Sequence, residues 1–432
     1  MAIAAIVAAA AAFTVLAFLQ ARRPPQPSVE DLQSQWIQLA DRVQELKAAG
    51  MLGEALLAAQ RSLKLAEATY GPLHPATGEA LNECAQLLVE NSRFEYVDAM
   101  YRRAIGIQTR VAGPESPEVA ALTNNLAQAC EKRGQFALAE TLYRQALGIY
   151  EQAVGPEDPA TARVVSNLAC LEDARCNHAV AEVLHRRAVT ARERALGPAH
   201  LDTAESLGNL ANNARLRGDL ETAERLHRRT LSIREHAAGP SHPLTAASLA
   251  GLAATLCDRG RPADADPPAS AALAIRQRSF GDRHTATAAS CETLALVRAD
   301  LGEPEVARRL LEQAAKIRLK DSFVRHPRTA KTLEHLAELA PPAENVSETR
   351  LAAVGLLETA VAIRTESLGP DHASTLESLA KLARALDAVD RTEDAVAIRK
   401  RLADGAEPAD SGGDPKQPAT ATPAGQAAQA AP

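Results

Sequence analysis

A glycine recurs every forty-two residues along this 432-residue chain, at Gly71, Gly113, Gly155, Gly197, Gly239 and Gly281. A register of that kind marks an array of equivalent units rather than one ordinary core. All but the last glycine are followed by proline, and the local pattern is Gly-Pro-x-His-Pro with small variations: GPLHP, GPESP, GPEDP, GPAHL, GPSHP, then GDRHT. One period later FVRHP, at 323–327, keeps the His-Pro without the glycine. After forty-six further residues GPDHA begins at Gly369, the four extra residues falling near 341–345.

The same offsets recur inside each unit. Fourteen residues after the glycine position stands an alanine in all eight: Ala85, Ala127, Ala169, Ala211, Ala253, Ala295, Ala337 and Ala383. The residue before it is leucine except at Cys84. Twelve residues beyond comes a second small set, Ala139, Ala181, Ala223, Ala265, Ala307, Ala353 and Ala395, with Val97 once, and seven further on a third, including Ala104, Ala146 and Ala188. Gly134, Gly218, Gly260 and Gly302 sit between the first two sets, where a left-handed residue stops one helix and turns into another. Each period then reads as a helix pair, with alanine at the crossing so that the axes approach closely. Composition agrees, since 46% of residues are hydrophobic but only 3% aromatic, so the core is built from Ala and Leu.

These features resemble the tetratricopeptide repeat, in the 42-residue variant of kinesin light chains and their bacterial relatives. The resemblance is carried by NNLAQACEKRGQFALAETLYRQALGIYEQAVGPEDP, beginning at Asn124, and by Tyr101 and Tyr143 at the aromatic position. It implies an all-α, right-handed superhelical solenoid of about nine helix-turn-helix units over residues 31–403, counting a weaker first unit with Gly50 and Ala55. It also implies a concave groove, lined by the first helix of each pair, that holds a partner protein or peptide. No heptad segment precedes the repeats, so a motor-adaptor role does not carry over. Two irregularities are expected. Pro262, Pro267 and Pro268 should shorten or kink the helix there and bend the array near 261–270, and the insertion disturbs 341–350. Residues 404–432 lack apolar periodicity and are expected to be disordered.

Residues 1–20 carry no charge, and through Leu19 they would make a helix about 28 Å long, enough to cross a bilayer. Arg22 and Arg23 follow, which places the repeats on the cytoplasmic side of a single-pass membrane protein, beyond a Pro-rich linker at 21–30. A cleaved signal segment is the rival reading and would make the chain an exported assembly factor. The expected function is a membrane-tethered adaptor for partner proteins; a self-associating structural array is the further alternative.

Catalysis is not expected. Zincin, P-loop, nucleophile-elbow and dinucleotide-binding motifs are all missing from the sequence, so neither an enzyme nor a cofactor is assigned. His74, His200, His242, His284, His326 and His372 repeat at one loop position, and equivalent positions in stacked units lie too far apart to share a metal ion; they read as loop caps. Cys84, Cys130, Cys170, Cys176, Cys257 and Cys291 read as reduced thiols, most of them on apolar helix positions. With 48 Lys and Arg against 54 Asp and Glu there is no basic surplus for nucleic acid.

A peptide partner needs polar side chains on the groove helices. The seam at Leu-Ala turns Asn124, Asn125 and Gln128, then Arg163 and Asn167, then Asn209, Asn212 and Arg215 inward. Asn125, Asn167 and Asn209 form a ladder that either holds a peptide backbone or packs against the neighbouring unit. Glu79, Glu83 and Glu90 make the first end of the groove acidic, suited to a basic ligand segment.

Overall fold

In the computed structural model, which describes residues 28–48, 51–91, 93–319, 327–339 and 346–404, each Gly-Pro-x-His-Pro segment is a tight loop between two helices. Its glycine ends the preceding helix at φ between 81° and 99°, a conformation closed to most side chains. Its histidine caps the next helix: Nδ1 of His74, His200, His242, His284 and His372 accepts the N–H two residues on at 3.0–3.2 Å. Ser116 and Asp158 cap the two remaining complete loops with side-chain oxygens. The histidine positions are therefore helix caps, each worth about 1 kcal/mol. A threonine six residues after the glycine closes the loop, with Thr77, Thr161, Thr203, Thr245, Thr287 and Thr375 donating from Oγ1 to the glycine carbonyl at 2.7–2.9 Å.

Eighteen helices and no strand lie among the described residues. They are α1 Val29–Ala48, α2 Leu52–Tyr70, α3 Pro75–Glu90, α4 Val97–Ala112, α5 Pro117–Lys132, α6 Phe136–Ala153, α7 Pro159–Ala174, α8 His178–Leu196, α9 Leu201–Leu216, α10 Leu220–Ala238, α11 Pro243–Asp258, α12 Pro262–Phe280, α13 Thr285–Asp300, α14 Pro304–Arg318, α15 Pro327–Glu338, α16 Val346–Leu368, α17 Ala373–Asp387 and α18 Thr392–Asp404. Successive odd and even helices make nine pairs, and each pair packs on the next. The crossing alanines are sealed: Ala85, Ala127, Ala169, Ala211, Ala253 and Ala295 have no exposed surface.

The packing between pairs changes along the array. Tyr101, Tyr143 and Tyr150 are buried in the amino-terminal half. One period after Tyr150 begins a series of arginines, Arg192, Arg234, Arg276, Arg318 and Arg364, each reaching from an even helix into the next odd one. Their Nη1 atoms donate to the carbonyls of Asp202, Leu244, Ala286, Arg328 and Ser374. The first four also bond the hydroxyls of Ser206, Ser248, Ser290 and Thr332 at 2.9–3.0 Å.

Several expectations change. No helix among the described residues is long and apolar enough to cross a membrane, so the single-pass membrane assignment and the membrane tether are withdrawn. The longest, α16, has 23 residues but includes Arg350, Glu358, Arg364 and Glu366, charges that hydrocarbon would not accept. Residues 1–20, on which the assignment rested, lie outside the described residues, as do His326, the insertion at 341–345 and the tail from 405. Helix α12 is not shortened: it runs 19 residues, as long as α8 and α10, with Pro262 in its first turn and Pro267 and Pro268 inside. Helix α1 begins at Val29, where Ser28 and Asp31 cap it reciprocally, so the linker expected to reach residue 30 ends earlier. Cys84, Cys130 and Cys291 are buried as expected, whereas Cys176 is exposed at a turn with φ 64°, where other units carry glycine.

Candidate functional site

The odd helices bury one side against their even partners and keep a stripe accessible on the other. On α3 that stripe includes Glu79, Asn82, Glu83 and Gln86; on α5, Asn125, Gln128 and Lys132; on α7, Arg163 and Asn167; on α9, Asn209 and Asn212; on α15, Arg328 and Lys331. The nine units stack in order, and the winding of the array brings distant units together. The Phe136 and His372 rings meet at 5.6 Å, which sets the turn of the third unit against the start of the ninth.

Charges therefore act between distant units. Lys132 touches solvent but is surrounded on most sides by protein; burial, with Arg328 adding to it, lowers its pKa despite Glu90 and Glu131. Lys331 is held low in the same way, by burial and then by Arg215, with Glu292 and Glu377 opposing. Arg328 also acts on Arg276, which burial already disfavours. Cations from the third, fifth and sixth units thus lie within electrostatic reach of Arg328 or Lys331 in the eighth.

The groove residues read from the sequence divide into two groups. Asn124, Asn125 and Asn167 are joined in a chain of amide bonds between units: Asn167 Nδ2 donates to Asn124 Oδ1 at 2.8 Å, Asn124 Nδ2 lies 3.4 Å from Asn125 Oδ1, and Asn125 Nδ2 donates to Asn82 Oδ1 at 3.0 Å. Asn124 is 1% exposed, so it faces the neighbouring unit and not the groove space. Gln128 and Asn209 are half-buried and Asn212 is exposed, outside that chain. Arg163 is exposed and lies near Tyr150, while Arg215 pairs with Asp258 at 2.8 Å. The ladder thus stops short of Asn209, because the residue forty-three positions before it is Ser166, whose hydroxyl meets Ser206, where Asn125 and Asn167 find Asn82 and Asn124.

Beneath the stripe lies a second row that sequence reasoning missed. Tyr143 donates from its hydroxyl to Glu131 Oε2 at 2.7 Å. One period on, His185 Nε2 lies 3.0 Å from Asp173 Oδ2, with His178 Nδ1 and Asn213 Nδ2 on the other oxygen at 2.9 and 2.7 Å. One period further, His227 faces Arg215 and has no hydrogen-bond partner on either ring nitrogen among the described residues. Burial raises the Glu131 pKa despite the Tyr143 bond. Burial acts the same way on Asp173, but the bonds from His185, His178 and Asn213 outweigh it and hold that carboxyl below its ordinary value. The signal was present in the sequence, since Tyr143, His185 and His227 are spaced by forty-two. Among the described residues no group of three or more His, Cys, Asp or Glu side chains is placed to hold a metal ion.

Comparison with known proteins places this geometry. The sequence profile of the tetratricopeptide repeat matches residues 98–152, 118–194, 174–236, 202–269 and 245–320, which together span more than half of the chain. No curated protein matches it. Among solved structures, a Rap protein complexed with competence and sporulation factor is similar over 87% of this chain and 98% of its own, with a TM-score of 0.55 at 13% identity. The apo quorum sensor NprR from B. thuringiensis is similar over 88% and 99%, with a TM-score of 0.53 at 13% identity. These two likenesses establish the fold alone. A kinesin light chain from Podosopora anserina, with nearly identical TPR-like repeats, is 26% identical over 48% of this chain and 95% of its own, at a TM-score of 0.40.

Proposed function

The chain belongs to the tetratricopeptide repeat family, and on that premise we propose that it is an interaction scaffold whose concave surface holds a segment of a partner protein or peptide. The observation that carries this reading is the accessible polar stripe on successive odd helices, where Gln128, Lys132, Asn209, Asn212 and Lys331 stand, together with the Phe136–His372 contact that brings the third unit to the ninth. Lys132 and Lys331 each feel a neighbouring cation, and an anionic stretch of a partner lying beside them offsets that repulsion. Gln128, Asn209 and Asn212 supply amides beside these cations for a peptide backbone. Asn125 and Asn167 serve the groove indirectly, by fixing neighbouring units.

The test is capture of partners by the full chain, tagged and recovered from cells that express it. The variant Gln128→Ala, Lys132→Gln, Asn212→Ala, Lys331→Gln should lose the captured proteins. A control, Arg186→Gln with Arg228→Gln on the exposed faces of α8 and α10, should keep them. Retention of the same proteins by the groove variant refutes the assignment.

A further inference from the structure

The first unit departs from the array at three positions, and together these departures open a hollow at the amino-terminal mouth of the concave surface. Trp36 stands where the next three units have Gly78, Ala120 and Ala162. Ala40 stands where Asn82 and Asn124 fill the space between odd helices, and Ala59 where Tyr101 and Tyr143 fill the space behind them. The result is a cavity of about 170 Å³ between α1, α2 and α3, lined by Trp36, Ala40, Val43, Ala59 and Ala80 and by the polar side chains of Gln44, Ser62, Glu79 and Glu83. Trp36 is set against Tyr70, edge to face, at 5.7 Å between centroids, and Tyr70 in turn stacks on His74 at 4.7 Å. The indole wall is thus braced.

The two carboxylates are not equivalent. Glu83 is paired with Lys47 at 2.8 Å, whereas Glu79 is exposed and makes no ion pair among the described residues. An aromatic ring, apolar side chains and an uncompensated carboxylate around so small a volume suit one chemistry: a cation carried on an aliphatic stem.

We propose that this hollow is a receptor for a single arginine or lysine side chain of the bound partner. The proposal rests on the reading of the concave surface as a partner-binding face, and it adds a direction to it. The stem lies on Ala40, Val43 and Ala59, the charged head meets Glu79, and the indole of Trp36 stabilises the cation. With cations standing further along the surface, a partner segment is oriented with its basic residue at the first unit and its acidic residues toward the third to eighth.

Trp36 is the one tryptophan of the chain, so its fluorescence reports on this hollow directly. The full chain is titrated with blocked Gly-Arg-Gly and Gly-Lys-Gly peptides, and with the citrulline analogue, which keeps the shape and lacks the charge. The expected result is a saturable change in Trp36 emission with the two cationic peptides and none with citrulline. Glu79→Gln should weaken the response at least about tenfold. Ala40→Leu, which fills the hollow, should abolish it with the helical circular dichroism unchanged. An equal response to citrulline, no saturable response at all, or an undiminished response in Glu79→Gln overturns the proposal. The titration needs no physiological partner, so its failure removes the hollow and leaves the groove to its own capture test, and a positive titration with failed capture does the reverse.

Discussion

The ring of Phe136, first residue of α6, packs against the imidazole of His372, the cap of α17, with centroids 5.6 Å apart. Beside them the α-carbon of Gly134 faces the Ser367 carbonyl so closely that a methyl group there would collide with it. The array has therefore wound far enough for its third unit to touch its last two. That contact brings the eighth and ninth units beside the third, and it explains why Arg328 acts on Lys132 from five units away.

Gly134 and Gly218 occupy equivalent turns with φ of 75° and 79°, but nothing lies within 4 Å of a methyl group built on Gly218. Gly218→Ala should cost about 1–2 kcal/mol, the left-handed penalty alone. Gly134→Ala should cost more in thermal unfolding and raise the radius of gyration in small-angle scattering. Equal melting temperatures and equal radii would mean that the contact does not persist in solution.

A methyl group on Gly251 would come within 2.5 Å of the buried His227 ring. Alanine gains up to about 1 kcal/mol of helix propensity over glycine, while overpacking costs about 1–3 kcal/mol. Gly251→Ala should therefore destabilise the protein by denaturant titration, and should stabilise it in a His227→Ala background. A double-mutant cycle without this change of sign would show that the imidazole does not occupy that space.

Burial, with Arg215 and Arg234 beside it, pushes the His227 pKa down to about 4 from its ordinary 6.5. Between these values the unfolded chain binds a proton that the folded chain refuses. His227 thus favours the fold fully above pH 6.5, and this contribution falls away as pH drops toward 4, at up to about 1.4 kcal/mol per pH unit. Unfolding free energies measured from pH 7.5 to 4.5 should drop less steeply for His227→Leu than for the parent; parallel curves would contradict the assignment.

Two arginines of the buried series should respond differently to replacement. Arg318, 3% exposed, pairs with Glu292 at 2.7 Å, and Glu292 also accepts from Thr332. Arg318→Met strands that carboxylate and should cost about 3–5 kcal/mol. Among the described residues Arg276 bonds Ala286 and Ser290 and no carboxylate, so Arg276→Met should cost about 1 kcal/mol or less. Thermal denaturation of the two variants checks the difference.

Asn167→Ala removes the donor to Asn124 Oδ1, an oxygen in a side chain only 1% exposed. The loss should be about 1–3 kcal/mol. Asn212→Ala, at an exposed position outside the amide chain, should change stability by less than about 0.5 kcal/mol. Equal stability of both variants would place Asn167 outside the inter-unit bond.

Helix pairs, their turns and the capping role of the repeated histidines were legible because each depends on residues a few positions apart. A glycine that must be left-handed, a histidine two residues before the N–H it caps and an alanine at a crossing all declare themselves within one period. The groove was legible only in part. Gln128, Asn209 and Asn212 are accessible on the odd helices, whereas Asn124 and Asn167 meet across units, and only the rotation of one unit on the next determines that they bond. The arginine series was equally periodic and passed unnoticed, because every member bonds a backbone carbonyl, which leaves no mark in a sequence, and the hydroxyls at Ser206, Ser248, Ser290 and Thr332 recur without declaring which side chain reaches them.

By itself the sequence determined an all-α array of helix pairs, since forty-two-residue periodicity, caps and small crossing residues act through local forces that repeat in every unit. Tertiary structure decided what those units bring together. The small rotation between neighbours accumulates until Phe136 meets His372, brings Lys132 near Arg328, and leaves a hollow where Ala40 and Ala59 fail to fill the space their counterparts occupy. Such relations depend on angles summed over several units, and no single period encodes them.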